Sequence, residues 1–153
     1  MKYFVGIDWA EAKHDVCVID ENDHICREWI ITDDQAGFTA LHTYLQSLKS
    51  VRIVMERQDG LLADFLIAND CELYVIPPMI SAKHRPRRGK TDRADAYLLA
   101  HLLKQGNPDC RLVIRHSPLQ QHLKQVVNGY DKLSKELQRL ALQMRYHLRA
   151  YYP

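Results

Sequence analysis

Apolar and polar positions alternate along the first thirty residues in a way that predicts three neighbouring strands. These strands are predicted over Tyr3–Asp8, Asp15–Asp20 and Ile25–Ile31, and the polar segment 20–24 is the turn between the last two. Short connections between successive strands favour antiparallel pairing. The chain therefore begins with a predicted antiparallel meander.

Residues 33–76 change to alternating helical and extended patterns. A helix is predicted over about Asp33–Leu48, because apolar residues recur at helical spacing and Thr32 with Gln35 resembles a capping box. A strand, a helix and a second strand are then predicted at Val51–Met55, Leu61–Ala68 and Glu72–Ile76. Asp59 is the predicted N-cap of this helix, and Pro77 and Pro78 end the second strand. The near-continuous apolar run of the first of these strands indicates a sheet covered on both faces.

This order of elements, followed by a helix that starts near Asp92, predicts an α/β domain with a mixed sheet flanked by helices. The first three strands form the meander, and the later strands are parallel and joined by helical crossovers. The order is that of the ribonuclease H fold. We assign this domain to residues 1–112.

A long helix is predicted in the remaining segment, 113–153. Ser117 is its predicted N-cap, with Pro118 at the first helical position and Gln120 completing a capping box. Apolar residues then alternate at spacings of four and three along a heptad seam: Leu119, Leu123, Val126, Tyr130, Leu133, Leu137, Leu140 and Met144. Such a seam predicts a coiled coil and a homo-oligomer, a dimer or larger; the alternative is a helix that bends at Gly129 and folds back.

Composition places the chain among globular proteins, with 46% hydrophobic and 26% charged residues in 153. Four cysteines without a Cys-x-x-Cys pair indicate reduced, buried thiols and no zinc site. No run approaches the roughly 20 apolar residues of a membrane span, and the N-terminus lacks a signal-peptide pattern. We therefore expect a cytoplasmic protein without a membrane partner.

Positive charge is concentrated in residues 83–93, which hold six Lys/Arg residues against one Asp. A basic run of this kind is typical of a solvated loop or of contact with a polyanion. Because it leads directly into two acidic residues, we favour phosphate contacts with nucleic acid. The candidate nucleic-acid-binding residues are Lys83, Arg85, Arg87, Arg88, Lys90 and Arg93.

Four carboxylates stand where a strand ends or a helix begins: Asp8, Glu56, Asp92 and Asp95. An acid on an apolar strand is costly to bury unless it is paired or binds a cation. Asp92 and Asp95 are three residues apart and share a helix face with Leu99 and Leu102, so both are expected to point towards the sheet. Clustered carboxylates suit Mg²⁺ or Mn²⁺, and two such ions can support phosphoryl transfer.

Other polar residues are weaker candidates. Glu11, Asp15 and Asp20 are expected to face solvent or to end strands. The histidines form no convincing ligand pair, and only His14 and His84 lie near the acids in sequence. None of the five serines has the setting of a catalytic nucleophile.

Three motifs together resemble the N-terminal domain of the DEDD transposases, the insertion-sequence recombinases related to the Piv DNA invertase. They are Gly6-Ile-Asp8-Trp9 with Lys13-His-Asp-Val16, Val54-Met-Glu56 with Gly60, and Lys90-Thr-Asp92-Arg-Ala-Asp95-Ala96. The resemblance covers essentially the whole chain and implies a fold similar to the RuvC-type Holliday-junction resolvases.

The resemblance also implies roles and partners. Asp8, Glu56, Asp92 and Asp95 match the family's four catalytic acids, which coordinate Mg²⁺ during DNA cleavage and rejoining. Family members are guided by a structured RNA, carry a second, C-terminal domain with a catalytic serine, and act at the prokaryotic nucleoid. We expect this chain to lack that serine domain, because it stops near Pro153, where the domain would begin.

Three functions remain open at this point. The leading hypothesis is the metal-dependent catalytic domain of a DEDD transposase that contacts DNA and guide RNA. A stand-alone endonuclease similar to junction resolvases is a second. The third is a non-catalytic module that binds nucleic acid and dimerises.

Overall fold

The chain divides into two compact units, Met1–Val113 and Ile114–Pro153. The computed structural model describes residues 1–85, 92–114 and 117–152, without the side chains of Asp92, Pro118 and Gln121. The first unit holds the sheet and its helices, and the second holds one long helix.

Six strands and five helices form within the described ranges. The strands are β1 (Tyr3–Asp8), β2 (Lys13–Asp20), β3 (Ile25–Thr32), β4 (Val51–Met55), β5 (Leu73–Val75) and β6 (Arg111–Leu112). The helices are α1 (Gln35–Gln46), α2 (Leu61–Ala68), α3 (Pro78–His84), α4 (Asp92–Lys104) and α5 (Pro118–Tyr151).

The strands form one mixed sheet in the order β3-β2-β1-β4-β5-β6. Strands β1, β2 and β3 are an antiparallel meander, whereas β1, β4 and β5 run parallel, and β6 is antiparallel to β5. The meander and the parallel crossovers predicted from the pattern are therefore confirmed.

Two apolar cores lie on opposite faces of the sheet, because successive side chains of a strand point to opposite faces. Val5 and Ile7 of β1 belong to the core that contains α1 and α2. Phe4 belongs to the other core, which α4 covers with Leu99 and Leu102, only 1% and 2% exposed. Burying each of these leucines stabilises the fold by roughly 2 kcal/mol. The predicted inward orientation of Leu99 and Leu102 is confirmed.

Helix α4 lies directly against β1 at Gly6. A Cβ atom at this position would lie 1.9 Å from the carbonyl oxygen of Ala96 and 2.6 Å from the amide nitrogen of Ala100. The backbones approach so closely that only glycine fits. Asp8, two residues further along β1, points to the same face of the sheet as Gly6. The contact at Gly6 therefore determines where Asp8 meets the N-terminal part of α4.

Two predicted N-cap residues, Thr32 for α1 and Asp59 for α2, were wrong. Helix α1 is capped by Asp34, whose carboxylate accepts the Gly37 amide hydrogen at 2.7 Å, whereas Thr32 is the last residue of β3 and donates to Asp34. Helix α2 has Gly60 as its N-cap, while Asp59 forms an ion pair with Arg57 at 3.3 Å. Asp34 has the extended backbone typical of an N-cap (φ −144°, ψ 169°), whereas Gly60 has a φ of +111°, a conformation that favours glycine.

Helix α3 and strand β6 were not predicted. Pro77 and Pro78 do end β5, but Pro78 also begins α3, because proline's restricted φ suits the first helical turn. Strand β6 has only two residues, and its pairing with Tyr74 and Val75 of β5 is a tertiary contact. Neither element is long enough to leave a periodic signal in the sequence.

The prediction of buried thiols is confirmed only for Cys17. Cys17 is fully buried on β2, and burial raises the pKa of its thiol to about 12, so it remains protonated near neutral pH. Cys26 is exposed, and Cys71 and Cys110 are half-buried. All four are free thiols.

Helix α5 is continuous through Gly129 and contains 34 residues, a length of about 50 Å. Its predicted cap is confirmed, because Ser117 and Gln120 make both hydrogen bonds of a capping box. The seam side chains from Leu119 to Met144 are at least half exposed. In the described part of the chain, no helix is both long and apolar enough to cross a membrane.

Candidate active site

Two of the four predicted acids lie at the same edge of the sheet. Asp8 is the last residue of β1, and Glu56 directly follows β4. Because β1 and β4 are parallel neighbours and Ile7 pairs with Met55, their carboxyl ends meet at this edge. Both acids are half-buried, so the sheet brings together residues that are far apart in sequence.

Asp95 reaches the same region from α4. Its side chain is buried, with 6% of the residue exposed, and the adjacent Ala96 is the residue whose backbone meets Gly6. Asp8 and Asp95 line one cavity of about 250 Å³. The remaining lining residues are Trp9, Ala10, Lys13, Asp15 and Arg85.

A polar network connects Glu56 to Asp95. The Ser81 hydroxyl donates to Glu56 Oε1 at 2.5 Å, and a terminal guanidinium nitrogen of Arg85 donates to the same oxygen at 3.2 Å. Arg85 Nε lies 3.0 Å from Asp95 Oδ1. Arg85 follows the last residue of α3, so the unpredicted helix supplies both Ser81 and Arg85.

Asp15 was placed wrongly by the sequence interpretation, which expected it to face solvent or to end a strand. It lies within β2, directly opposite Asp8 in the antiparallel ladder, and is only 9% exposed. Opposite residues of an antiparallel pair share a face, so Asp15 joins Asp8 at the cavity. The register of the β1–β2 pairing, which sets Asp15 opposite Asp8, is the feature that identifies Asp15 as a residue of the cavity.

Ser81 was also missed. The sequence interpretation saw no serine in a catalytic setting, and the structure places this one 1% exposed against Glu56. The Ser81 hydroxyl donates its hydrogen bond to the Glu56 carboxylate, and Ser81 therefore orients Glu56. The Pro77-Pro78 pair was a signal for the start of α3, but the contact of Ser81 with Glu56 depends on how α3 packs near β4.

The loop after β1 is held by a buried histidine. His14 Nδ1 accepts the Ala10 amide hydrogen at 3.4 Å, so its proton is on Nε2, which lies 3.1 Å from Asp33 Oδ1. Trp9, next to Asp8, stacks on His14, and the Arg57 guanidinium lies 4.3 Å from the centre of the Trp9 ring. His14 is therefore structural, and it fixes Trp9 at the rim of the cavity.

The predicted basic residues do not share one environment. Lys83 and Arg93 are exposed, whereas Arg85 points inward to the acids. Arg87, Arg88 and Lys90 lie in 86–91, outside the described residues, and so does the side chain of Asp92. Of the four predicted acids, Asp8 and Asp95 thus line one cavity, and Arg85 connects Asp95 to Glu56.

Carboxylate oxygens are the ligands that Mg²⁺ and Mn²⁺ prefer, so the donor chemistry at this edge of the sheet fits a divalent cation. Across residues 1–85, 92–114 and 117–152, however, no three Asp, Glu, His or Cys side chains are grouped closely enough to hold a metal. The positive charge between Glu56 and Asp95 is the guanidinium of Arg85.

Comparison with protein families gives a match over residues 5–153 to the IS110-type DEDD family, described as a transposase. A protein named as a mini-circle transposase for IS117 in Streptomyces coelicolor is 32% identical over 98% of this chain and 38% of its own length. A pilin gene-inverting protein of Moraxella lacunata is 28% identical over 70% of this chain and 36% of its own length. The chain thus spans well under half the length of these relatives.

Among solved structures, RuvC of Thermus thermophilus in complex with a Holliday junction substrate covers 74% of this chain and all of its own, with a TM-score of 0.52. Sequence identity is 10%, so the likeness concerns the fold. The fold is RuvC-like, that is, ribonuclease H-like, as the order of elements predicted.

Proposed function

Because the chain belongs to the DEDD transposase family of the IS110 type, we propose that residues 1–112 are the metal-dependent catalytic domain of a DNA transposase. This domain takes part in DNA strand cleavage and exchange. The observation that carries the proposal is the convergence of Asp8, Glu56 and Asp95 at one edge of the sheet, with Asp8 and Asp95 lining one cavity. Asp92, at the first turn of α4, is the proposed fourth acid.

The proposed metal ligands are Asp8, Glu56, Asp92 and Asp95. When bound, Mg²⁺ or Mn²⁺ would neutralise the carboxylates and polarise the phosphodiester. The protein side chains orient these acids: Ser81 holds Glu56 by a hydrogen bond, and the close packing at Gly6 holds α4 and Asp95 against β1. Asp8 and Asp15 face each other across the ladder, and such like-charged pairs are destabilising unless a cation lies nearby.

Calorimetric titration with Mn²⁺ tests the metal site. Asp8→Ala is expected to weaken Mn²⁺ binding by at least about tenfold, because it removes one charged ligand from the cavity. Asp64→Asn is the matched control, since Asp64 is an exposed acid on α2 and should leave the affinity unchanged. Equal affinity in the wild type and the Asp8 variant would exclude Asp8 as a ligand.

Nucleic acid is the proposed partner, as DNA and, by family resemblance, a structured guide RNA. Exposed Lys83 precedes Asp92 in the sequence, exposed Arg93 lies between Asp92 and Asp95, and Arg87, Arg88 and Lys90 lie between Lys83 and Arg93. Such cations bind the phosphate backbone without reading bases, so binding should fall steeply with salt.

A stand-alone junction resolvase is the alternative, because the RuvC structure that this fold resembles is bound to a Holliday junction. We expect the 153-residue chain alone to leave four-way DNA junctions uncut in Mg²⁺, since family members use a second domain with a catalytic serine. Symmetric cleavage of the junction by this chain, abolished by Asp8→Ala, would favour the resolvase instead.

Residues 113–153 are proposed to assemble the protein through the exposed seam of α5. Leu133 is 72% exposed within the chain, and its replacement by aspartate would place a charge in the centre of the seam. We expect Leu133→Asp to weaken self-association at least about tenfold in sedimentation velocity experiments. Lys135→Asp, on the opposite face of the helix, should leave the oligomer intact; a monomeric wild-type chain would contradict the proposal.

A further inference from the structure

Arg85 lies between two of the proposed metal ligands, Glu56 and Asp95. Its guanidinium contacts Glu56 Oε1 at 3.2 Å through a terminal nitrogen and Asp95 Oδ1 at 3.0 Å through Nε. Its side chain is 31% exposed, while those of Glu56 and Asp95 are 17% and 8% exposed. One positive group thus connects acids that come from different elements of the fold.

The contact with Asp95 is ionic and poorly directed. Arg85 Nε is buried, and among the described residues it has no hydrogen-bond partner of good geometry although Asp95 Oδ1 is 3.0 Å away. A buried N–H without a directed partner costs free energy, so this arrangement is satisfied less well than a bidentate arginine–carboxylate pair. The guanidinium is held mainly by the charges around it, and a stronger cation could replace it.

Building on the proposed metal site, we propose that Arg85 is a positioning residue that a divalent cation displaces. In the metal-free protein Arg85 neutralises Glu56 and Asp95 and keeps them together. A divalent cation, when bound, would be held by the same carboxylates, and the freed Arg85 guanidinium would then contact a phosphate of the bound DNA. Metal loading and DNA binding are thereby coupled through one side chain.

Competition between the guanidinium and the metal gives the first test. Arg85→Gln is expected to bind Mn²⁺ about tenfold more tightly than the wild type in calorimetry, because no internal cation has to be displaced. Arg85→Lys keeps the charge but not the forked geometry and should be intermediate. Arg52→Gln is the matched control, since Arg52 forms an exposed ion pair with Glu72 at 3.0 Å near the start of β4.

The coupling to DNA gives the second test, with Ca²⁺ in place of Mg²⁺ to limit cleavage. In EDTA, Arg85 is engaged by the acids, so Arg85→Gln should bind duplex DNA only slightly more weakly than the wild type, through the loss of one positive charge. In Ca²⁺, the wild type should gain about threefold to tenfold more affinity than the variant, as expected for one additional phosphate contact. A residue that only braced the fold would weaken DNA binding equally in both buffers.

The possible results distinguish failure of the proposed displacement from failure of the proposed metal site. Tighter Mn²⁺ binding by Arg85→Gln supports displacement, and equal or weaker binding by a variant that melts cooperatively overturns it while leaving the metal site in place. If the wild type binds no Mn²⁺ even with DNA present, the proposed metal site fails and the displacement fails with it. If Arg85→Gln does not fold, Arg85→Lys decides by the same comparison.

Discussion

Replacing Asp95 by asparagine is expected to reduce DNA recombination by the full-length protein by about 100-fold to 1,000-fold. The substitution keeps the size of the side chain but removes the charge that, in our proposal, helps to hold the metal; loss of one preorganised electrostatic group typically costs this much. Asp95 is 6% exposed at the cavity that it shares with Asp8, so no solvent-exposed group can replace it easily. Recombinant product is quantified on gels over a time course.

Controls separate loss of chemistry from loss of folding. Asp92→Asn should show the same defect if the fourth acid acts with the others, whereas Asp64→Asn on α2 should recombine normally. Thermal unfolding of each variant checks the fold, since Asp95→Asn also loses the ion pair with Arg85. Full activity in a folded Asp95 variant would exclude Asp95 from the catalytic acids, whereas no recombination by the wild type would favour the non-catalytic binding and dimerisation module.

Replacing Gly6 by alanine is expected to destabilise the first unit by about 3 kcal/mol or more, because overpacking of a tight contact forces the backbones apart. The new methyl group would lie 1.9 Å from the carbonyl oxygen of Ala96, a backbone atom that cannot rotate away. We expect a lower unfolding midpoint in urea and, in the remaining folded protein, weaker Mn²⁺ binding, because Asp95 moves with α4.

Gly129→Ala is the matched control for that experiment. A Cβ atom at Gly129 has no other heavy atom within 4 Å, apart from its own helix backbone and chain neighbours. The same substitution should therefore stabilise α5 by up to about 1 kcal/mol, through the higher helix propensity of alanine. If Gly6→Ala also proved neutral or stabilising, the close approach of β1 and α4 would be contradicted.

Local patterns predicted the regular parts of this fold well. Strand β4 and helix α2 lie at the predicted bounds, and Ser117 caps α5 as predicted. These elements carry their information in periodic apolar positions and in capping residues a few positions apart, which depend little on the rest of the chain. The order of the elements then limited the topology to a few possibilities.

Errors occurred where two distant segments meet. Asp15 was assigned to a strand end, but the register of β1 with β2 buries it beside Asp8. Arg85 was predicted to contact phosphate, and its contacts with Glu56 and Asp95 from the end of α3, a helix of seven residues, were not predicted. A short helix has too little periodicity to be recognised, and a strand register is not written in either strand alone.

By itself, the sequence predicted the longer strands and helices, their order, the heptad seam of α5 and four acids as candidate ligands, because each depends on residue types at short separations. Only the tertiary structure decided that Asp15 and Ser81 join the site and that Arg85 bridges Glu56 and Asp95. The physical reason is that these contacts depend on strand register and on the packing of α3 and α4 against the sheet, which arise only when the whole domain folds.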